Sequence, residues 1–412
     1  MKTRIQILIC ILLGCITCSG KMIRVGKDQQ CNSISEAIQA ASDGDTIWIE
    51  SGHYLEKNIV IDKSVTLIGH DYPVLDGEGN KEIVSVKQNN VTIKGLKLIR
   101  SGISSLVDIA ALKIYNCRNV VIENNIVEDA FFGIYVQGGT NCRIENNRLK
   151  ASSQTEQQSG NGIHCWKSDS MQVIGNKISG HRDGIYFEFV TNSIIWRNIS
   201  EQNLRYGLHF MFSHNDAYIS NVFKNNGAGV SVMFTHGVKM FNNFFEDNWG
   251  DGAFGLLLKE ITDSYVIGNK FISNTSGIFM EGANRINLER NEFKSNGWAI
   301  KIQASCMDIV ITNNNFISNT FDIGTNGSLV LNTFNKNYWD KYEGYDLNKD
   351  NIGDVPFHPV SLFSVIVEKN PSSMMLFRSF MTSLLDKTER IIPSLTPENL
   401  KDDYPYMKPL KL

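Results

Sequence analysis

Gly184-Ile185-Tyr186-Phe187-Glu188-Phe189 is followed 23 residues later by Gly207-Leu208-His209-Phe210-Met211-Phe212, and an asparagine stands fourteen positions after each glycine, at Asn198 and Asn221. Within each segment the first and third residues after glycine, Ile185 and Phe187 or Leu208 and Phe210, are apolar, which is the period of a strand with one buried face. The same frame extends in both directions. Asn125, Asn147, Asn176, Asn198, Asn221, Asn243, Asn269, Asn291 and Asn313 are separated by 22, 29, 22, 23, 22, 26, 22 and 22 residues. Gly or Ala precedes each by fourteen, from Ala111 and Gly133 through Gly255, Gly277 and Ala299. Short strands recurring at this interval describe an all-β chain wound as a right-handed parallel β-helix, about 22 residues to a coil. Equivalent residues of stacked coils then form ladders, and a buried Asn ladder can satisfy the polar groups of a corner. The abundance of Asn is thereby structural.

Residues 21–335 are read as this solenoid with an N-terminal cap. Ser33 to Ala41 has helical spacing, with Ile34, Ala37, Ile38 and Ala41 on one side and a Ser33/Glu36 capping box, so a helix is expected to cover the first coil. Residues 336–412 differ: seven of the eight prolines lie here. Ser373 to Lys387 reads as an amphipathic helix that either packs back along the solenoid or offers Met374, Met375, Phe377, Phe380 and Met381 as a soft docking surface for a partner. Arg378, Ser383 and Asp386 argue against a membrane span.

Residues 1–20 read as an export signal, with Lys2 and Arg4 before an apolar run too short to cross a bilayer. Leu12-Leu13-Gly14-Cys15 is alternatively a lipoprotein cleavage site that would anchor the chain at Cys15. Either expectation places the protein outside the cytoplasm. Without Lys2 and Arg4 the chain carries 38 bases against 43 acids, a net charge of -5, and no basic block suggests nucleic acid. Cys31, Cys117, Cys142, Cys165 and Cys306 remain, with no CxxC among them, and read as buried thiols.

Coil register allows outward positions to be aligned. One column runs His164, Tyr186, His209, Ser231, and the next Trp166, Glu188, Met211, Met233. Met211-Phe212-Ser213-His214 recurs one coil later as Met233-Phe234-Thr235-His236. Thioether and imidazole donors suit cuprous ion, so Met211, His214, Met233 and His236, with His209 nearby, are a candidate copper patch. Longer coils bracket it, through a polar loop at Ser152 to Gly160 and another at Asn248 to Gly252. A rival constellation, Arg182, Glu188 and Arg205, with Asp183 and Tyr206 beside it, would suit an acidic sugar in a carbohydrate-active β-helix such as a lyase, hydrolase or epimerase. The bland reading of both is a surface with filled columns and ion pairs. Asp346, Asn348, Asp350 and Asp354 have the spacing of a calcium loop, although Asn351 replaces the usual Gly and Phe357 the final Glu.

Three segments together carry a resemblance: Gly184 to Phe189, Arg205-Tyr206-Gly207-Leu208-His209-Phe210-Met211-Phe212-Ser213, and Asn337-Tyr338-Trp339-Asp340 continuing to Gly353-Asp354-Val355-Pro356. With export and the β-helix they resemble the NosD family, periplasmic maturation factors of nitrous-oxide reductase. The resemblance implies a protein that is not an enzyme and that helps assemble the reductase's copper-sulfide centre. It further implies work with an ABC-type ATPase and permease, and copper received from a lipoprotein chaperone.

Overall fold

The computed structural model describes residues 20–385 and 400–412, apart from residues 57, 105, 328–330, 378 and 383. The expected export signal and Cys15 lie outside the described residues. The chain winds into a parallel β-solenoid of about 14 coils of roughly 23 residues. Asp183–Glu188, Ile194–Trp196 and Ile199–Glu201 make one coil, and Tyr206–Met211, Ala217–Ile219 and Val222–Lys224 the next. They pair in parallel with Ile185 against Leu208, Ile195 against Tyr218 and Ser200 against Phe223. Strands this short survive because each is paired on both sides.

The corners explain the composition. Asn124, Asn146, Arg197, Ser220 and Asn242, each just before a ladder position, adopt positive φ, where Asn is tolerated better than most residues. Behind them runs the ladder. Asn243 donates to the Tyr218 carbonyl at 2.9 Å and to Asn269 Oδ1 at 3.0 Å, and its own Oδ1 accepts from the backbone and side chain of Asn221, both at 3.0 Å. The ladder passes from Asn291 to Asn314 and then Asn337, not to Asn313, which sits outside at a φ of 56°. It ends on Asp402, whose buried carboxylate accepts from the Asn337 and Trp339 side chains at 3.0 and 3.1 Å. A second ladder, Asn203, Asn226, Asn248, Asn274, Asn296 and Asn319, lines another corner. Inside, Phe223, Phe245, Phe271, Phe293, Phe316 and Trp339 stack with centroids 4.0–5.5 Å apart.

At the N-terminus, helix Ile34–Ala40 covers the first coil; Ser33 accepts from Glu36 N, and Ile34, Ala37 and Ile38 are buried. All five described cysteines are free and buried. The tail departs from expectation. Its regular helix is Leu362–Lys369, which lays Phe363 and Val367 against Phe321. Pro371, with no amide hydrogen to donate, opens a 3-10 turn over Pro371–Leu376 where a longer helix was expected. Residues 380–382 and 384–385 are helical, while 378, 383, 386 and 387 of the expected helix lie outside the described residues.

One buried charge is out of place. Asp216 accepts the Ser193 amide through Oδ1 at 2.6 Å, but Oδ2 meets no partner. Burial pushes its carboxyl up to about 8 from 3.8. Between those values the folded chain holds a proton that the unfolded chain releases, so Asp216 makes stability fall as pH rises from about 4 to about 8. Asp216→Asn is therefore expected to raise the melting temperature at pH 8 more than at pH 5, read by thermal denaturation. Equal shifts at the two pH values would contradict a protonated Asp216.

Candidate functional site

The recurring Met-Phe-x-His segments fall into register. Met211 pairs with Met233, and the His214 and His236 rings stack with centroids 4.1 Å apart and planes within 20°. The His236 backbone N–H points at His214 Nδ1 from 3.3 Å, so in the neutral ring Nδ1 keeps the lone pair and Nε2 the proton; a metal would take Nδ1 in exchange for this contact, or Nε2 of the other tautomer. Burial first, then His236, depresses the His214 pKa, which favours the neutral ring that ligation needs. Among the described residues no three His, Cys, Asp or Glu side chains come together as a metal cluster. The two columns offer two thioethers and two imidazoles, donor types that suit a soft monovalent metal.

Between the methionine and histidine columns stands a feature that strand alternation does not reveal. Phe189, Phe212 and Phe234 occupy the corner at φ 54°, 47° and 56° and stack at 5.3 and 5.1 Å. Bulky residues seldom hold this conformation, but the corner imposes it on successive coils, at Lys167 and Glu260 as well as at the three Phe. Phe189 and Phe234 remain 45% and 37% exposed, so the ladder presents apolar edges to solvent beside the Met and His pairs.

The neighbouring column is covered. His164, Tyr186, His209 and Ser231 are register partners on successive coils, yet His164 and His209 are each only 7% exposed. Asn161, Arg182 and Arg205, from the turns that enter these strands, and Tyr206 with Phe254 close over the column. Arg205 grips buried Asp183 with Nε at 2.8 Å and Nη2 at 2.5 Å, and also places Nη2 3.3 Å from His209 Nδ1. His209, grouped with the copper set by its spacing, thus turns to this ion pair. Tyr186 links the columns through its hydroxyl, 3.8 Å from the Met211 sulfur. Burial, reinforced by Arg182, pushes His164 down to about 3.

Residues 151–345 match the family described as "Periplasmic copper-binding protein (NosD)", and residues 18–178 match "Right handed beta helix region". The protein called "Probable ABC transporter binding protein NosD" in Pseudomonas aeruginosa is 26% identical over 90% of this chain and 91% of its own length. Its counterpart of the same description in Stutzerimonas stutzeri is 24% identical over 89% of this chain and 88% of its own. The chain is thus similar to NosD proteins along most of its length. Solved β-helices agree with the fold alone. The Streptococcus pneumoniae surface adhesin PfbA aligns with TM-score 0.56 at 14% identity, over 72% of this chain and 88% of its own. An α-1,3-glucanase from Streptomyces thermodiastaticus aligns with TM-score 0.57 at 13% identity, over 74% of this chain and 65% of its own.

The span matched to NosD contains both Met-Phe-x-His copies, the Phe ladder and the covered column. Of the rival sugar set, Arg182 and Arg205 come together around Asp183, whereas Glu188 lies in the other column between Trp166 and Met211. The calcium-like loop forms a turn. Asp346 accepts the Lys349, Asp350 and Asn351 amides, Asn348 the Asp350 amide, Asp350 the Ile352 amide and Asp354 the Leu347 amide. These oxygens cap the turn. Of the expected docking residues, Met375 and Phe380 are 89% and 82% exposed, while Phe377 leans on the Phe363 ring. Among the described residues, no helix is long and apolar enough to cross a membrane.

Proposed function

We propose that this chain is a periplasmic accessory protein, not an enzyme, that handles copper for assembly of the copper-sulfide centre of nitrous-oxide reductase. The observation that carries the reading is the in-register repetition of Met211/His214 as Met233/His236 inside the span matched to a copper-binding family. Cuprous ion is cargo here. Two thioethers and two imidazoles hold it without the geometric demand of a rigid structural site, and the exposed Phe edges give a delivering chaperone lipoprotein or the receiving reductase an apolar surface to meet. The description of the relatives as ABC transporter binding proteins supports an ATPase and permease as partners, with exposed Met374, Met375, Phe380 and Met381 as the docking face and Phe377 bracing it from beneath. An anchor at Cys15 remains compatible with this role.

Cuprous-ion titration under reducing, oxygen-free conditions tests the proposal. The wild-type protein is expected to compete with a cuprous chelator at one equivalent, and a variant with Met211, His214, Met233 and His236 all changed to alanine is expected to bind at least tenfold more weakly. Equal binding by the two proteins sinks the assignment.

A further inference from the structure

Glu188 stands one coil before Met211 in the same outward column, and Lys259 stands one coil after Met233. The two ends of the methionine pair differ in charge. Lys259 is neutralised by Glu281, with Nζ 3.3 Å from Oε2, whereas the Glu188 carboxylate forms no ion pair with a described residue. Lys167, on the coil before Glu188, lies over the Trp166 ring, 4.4 Å from its centre.

Tyr186 measures how close the free carboxylate comes to the sulfur. Its hydroxyl lies 3.8 Å from Met211 Sδ, and the Glu188 side chain is a second acceptor for the same hydroxyl. One ordinary O–H···O contact beyond that distance puts the carboxylate within about 7 Å of the sulfur. A single hydroxyl hydrogen serves one acceptor at a time. When a metal takes the sulfur lone pair, the hydroxyl can turn to Glu188 and stay paired, so ligation leaves no stranded donor.

Thioethers and neutral imidazoles bring no charge, so a cuprous ion held by them keeps its full positive charge. A carboxylate at this range attracts that charge, and the attraction weakens as salt screens it. We propose that Glu188 is the counter-charge of the cuprous site, a specificity-determining residue that favours the bare cation without ligating it, with Tyr186 linking it to Met211. The inference rests on the Met/His reading and adds to it a residue outside the donor set.

Competition titration with cuprous ion, reducing and oxygen-free, tests it on the full chain, on Glu188→Gln and on Met211→Ala/Met233→Ala, with sodium sulfate setting the ionic strength. Glutamine keeps the side-chain length and an acceptor for Tyr186, so only the charge is lost. Glu188→Gln is expected to bind about fivefold more weakly at low ionic strength. The gap should shrink below about twofold near 1 M, where the screening length falls to about 3 Å, while the methionine variant stays impaired throughout. A deficit in Glu188→Gln that does not change with salt is what a purely structural role would give, and it overturns the proposal. Wild-type affinity of Glu188→Gln at low ionic strength, beside an impaired methionine variant, overturns it too and leaves the Met/His reading standing. Equal binding by all three proteins overturns that reading and this proposal with it.

Discussion

Asn243→Ala is expected to lower stability by about 3–5 kcal/mol, the combined cost of several buried groups losing partners at roughly 1–3 kcal/mol each. The substitution removes the acceptor shared by the Asn221 amide and side chain, the donor to the Tyr218 carbonyl, and one of two donors to Asn269. Asn243 is 1% exposed, so water cannot stand in at the corner without opening the coil. A solenoid transmits the loss only to neighbours, so the break should be local. Hydrogen exchange is expected to accelerate in the coils of Asn221, Asn243 and Asn269 while amides near Ile47 stay protected. A drop under 1 kcal/mol in denaturant unfolding would show that the ladder is ornament.

Phe271→Ala is expected to cost a similar 3–5 kcal/mol by a different route. The ring is fully buried and lies between Phe245 at 4.6 Å and Phe293 at 4.9 Å, both nearly parallel to it. Neither neighbour can collapse into the gap, because strand pairing holds Phe245, Phe271 and Phe293 at a fixed register. The cavity therefore stays open. Phe271→Leu fills most of it and should recover more than half of the loss, measured as the shift in unfolding midpoint. Equal destabilisation by the two substitutions would assign the effect to ring stacking and not to volume.

What was legible in the chain follows from the repeat. Period and offset gave the coil, and with the coil came the columns: Met211 over Met233 and His214 over His236 needed only register. The ladder's last member was misplaced by one residue because Asn313, Asn314 and Asn315 are consecutive, and only the αL corner at Asn313 decides which of them turns inward. The second ladder was visible as a fixed offset of five after the first, from Asn198 and Asn203 to Asn314 and Asn319. What alternation cannot show is what lies above a strand. His164 and His209 point out of the solenoid as expected, yet the turn entering each strand folds over its own histidine, Asn161 on His164 and Arg205 on His209, and Arg182 and Asp183 of an adjacent coil tie those turns together. The tail was hard for a related reason. Met and Phe at helical spacing fix a helix only where something packs on it, and the packing partner, Phe321, takes Phe363 and Val367 from the preceding helix and only Phe377 and Leu385 from the expected one.

X-ray absorption at the copper edge of the cuprous-loaded protein tests the central claim most directly. The account predicts both nitrogen and sulfur neighbours around the ion, with the sulfur contribution lost in a Met211→Ala/Met233→Ala variant that retains all five buried cysteines. A spectrum with nitrogen and oxygen alone, or a sulfur shell unchanged in that variant, would contradict it.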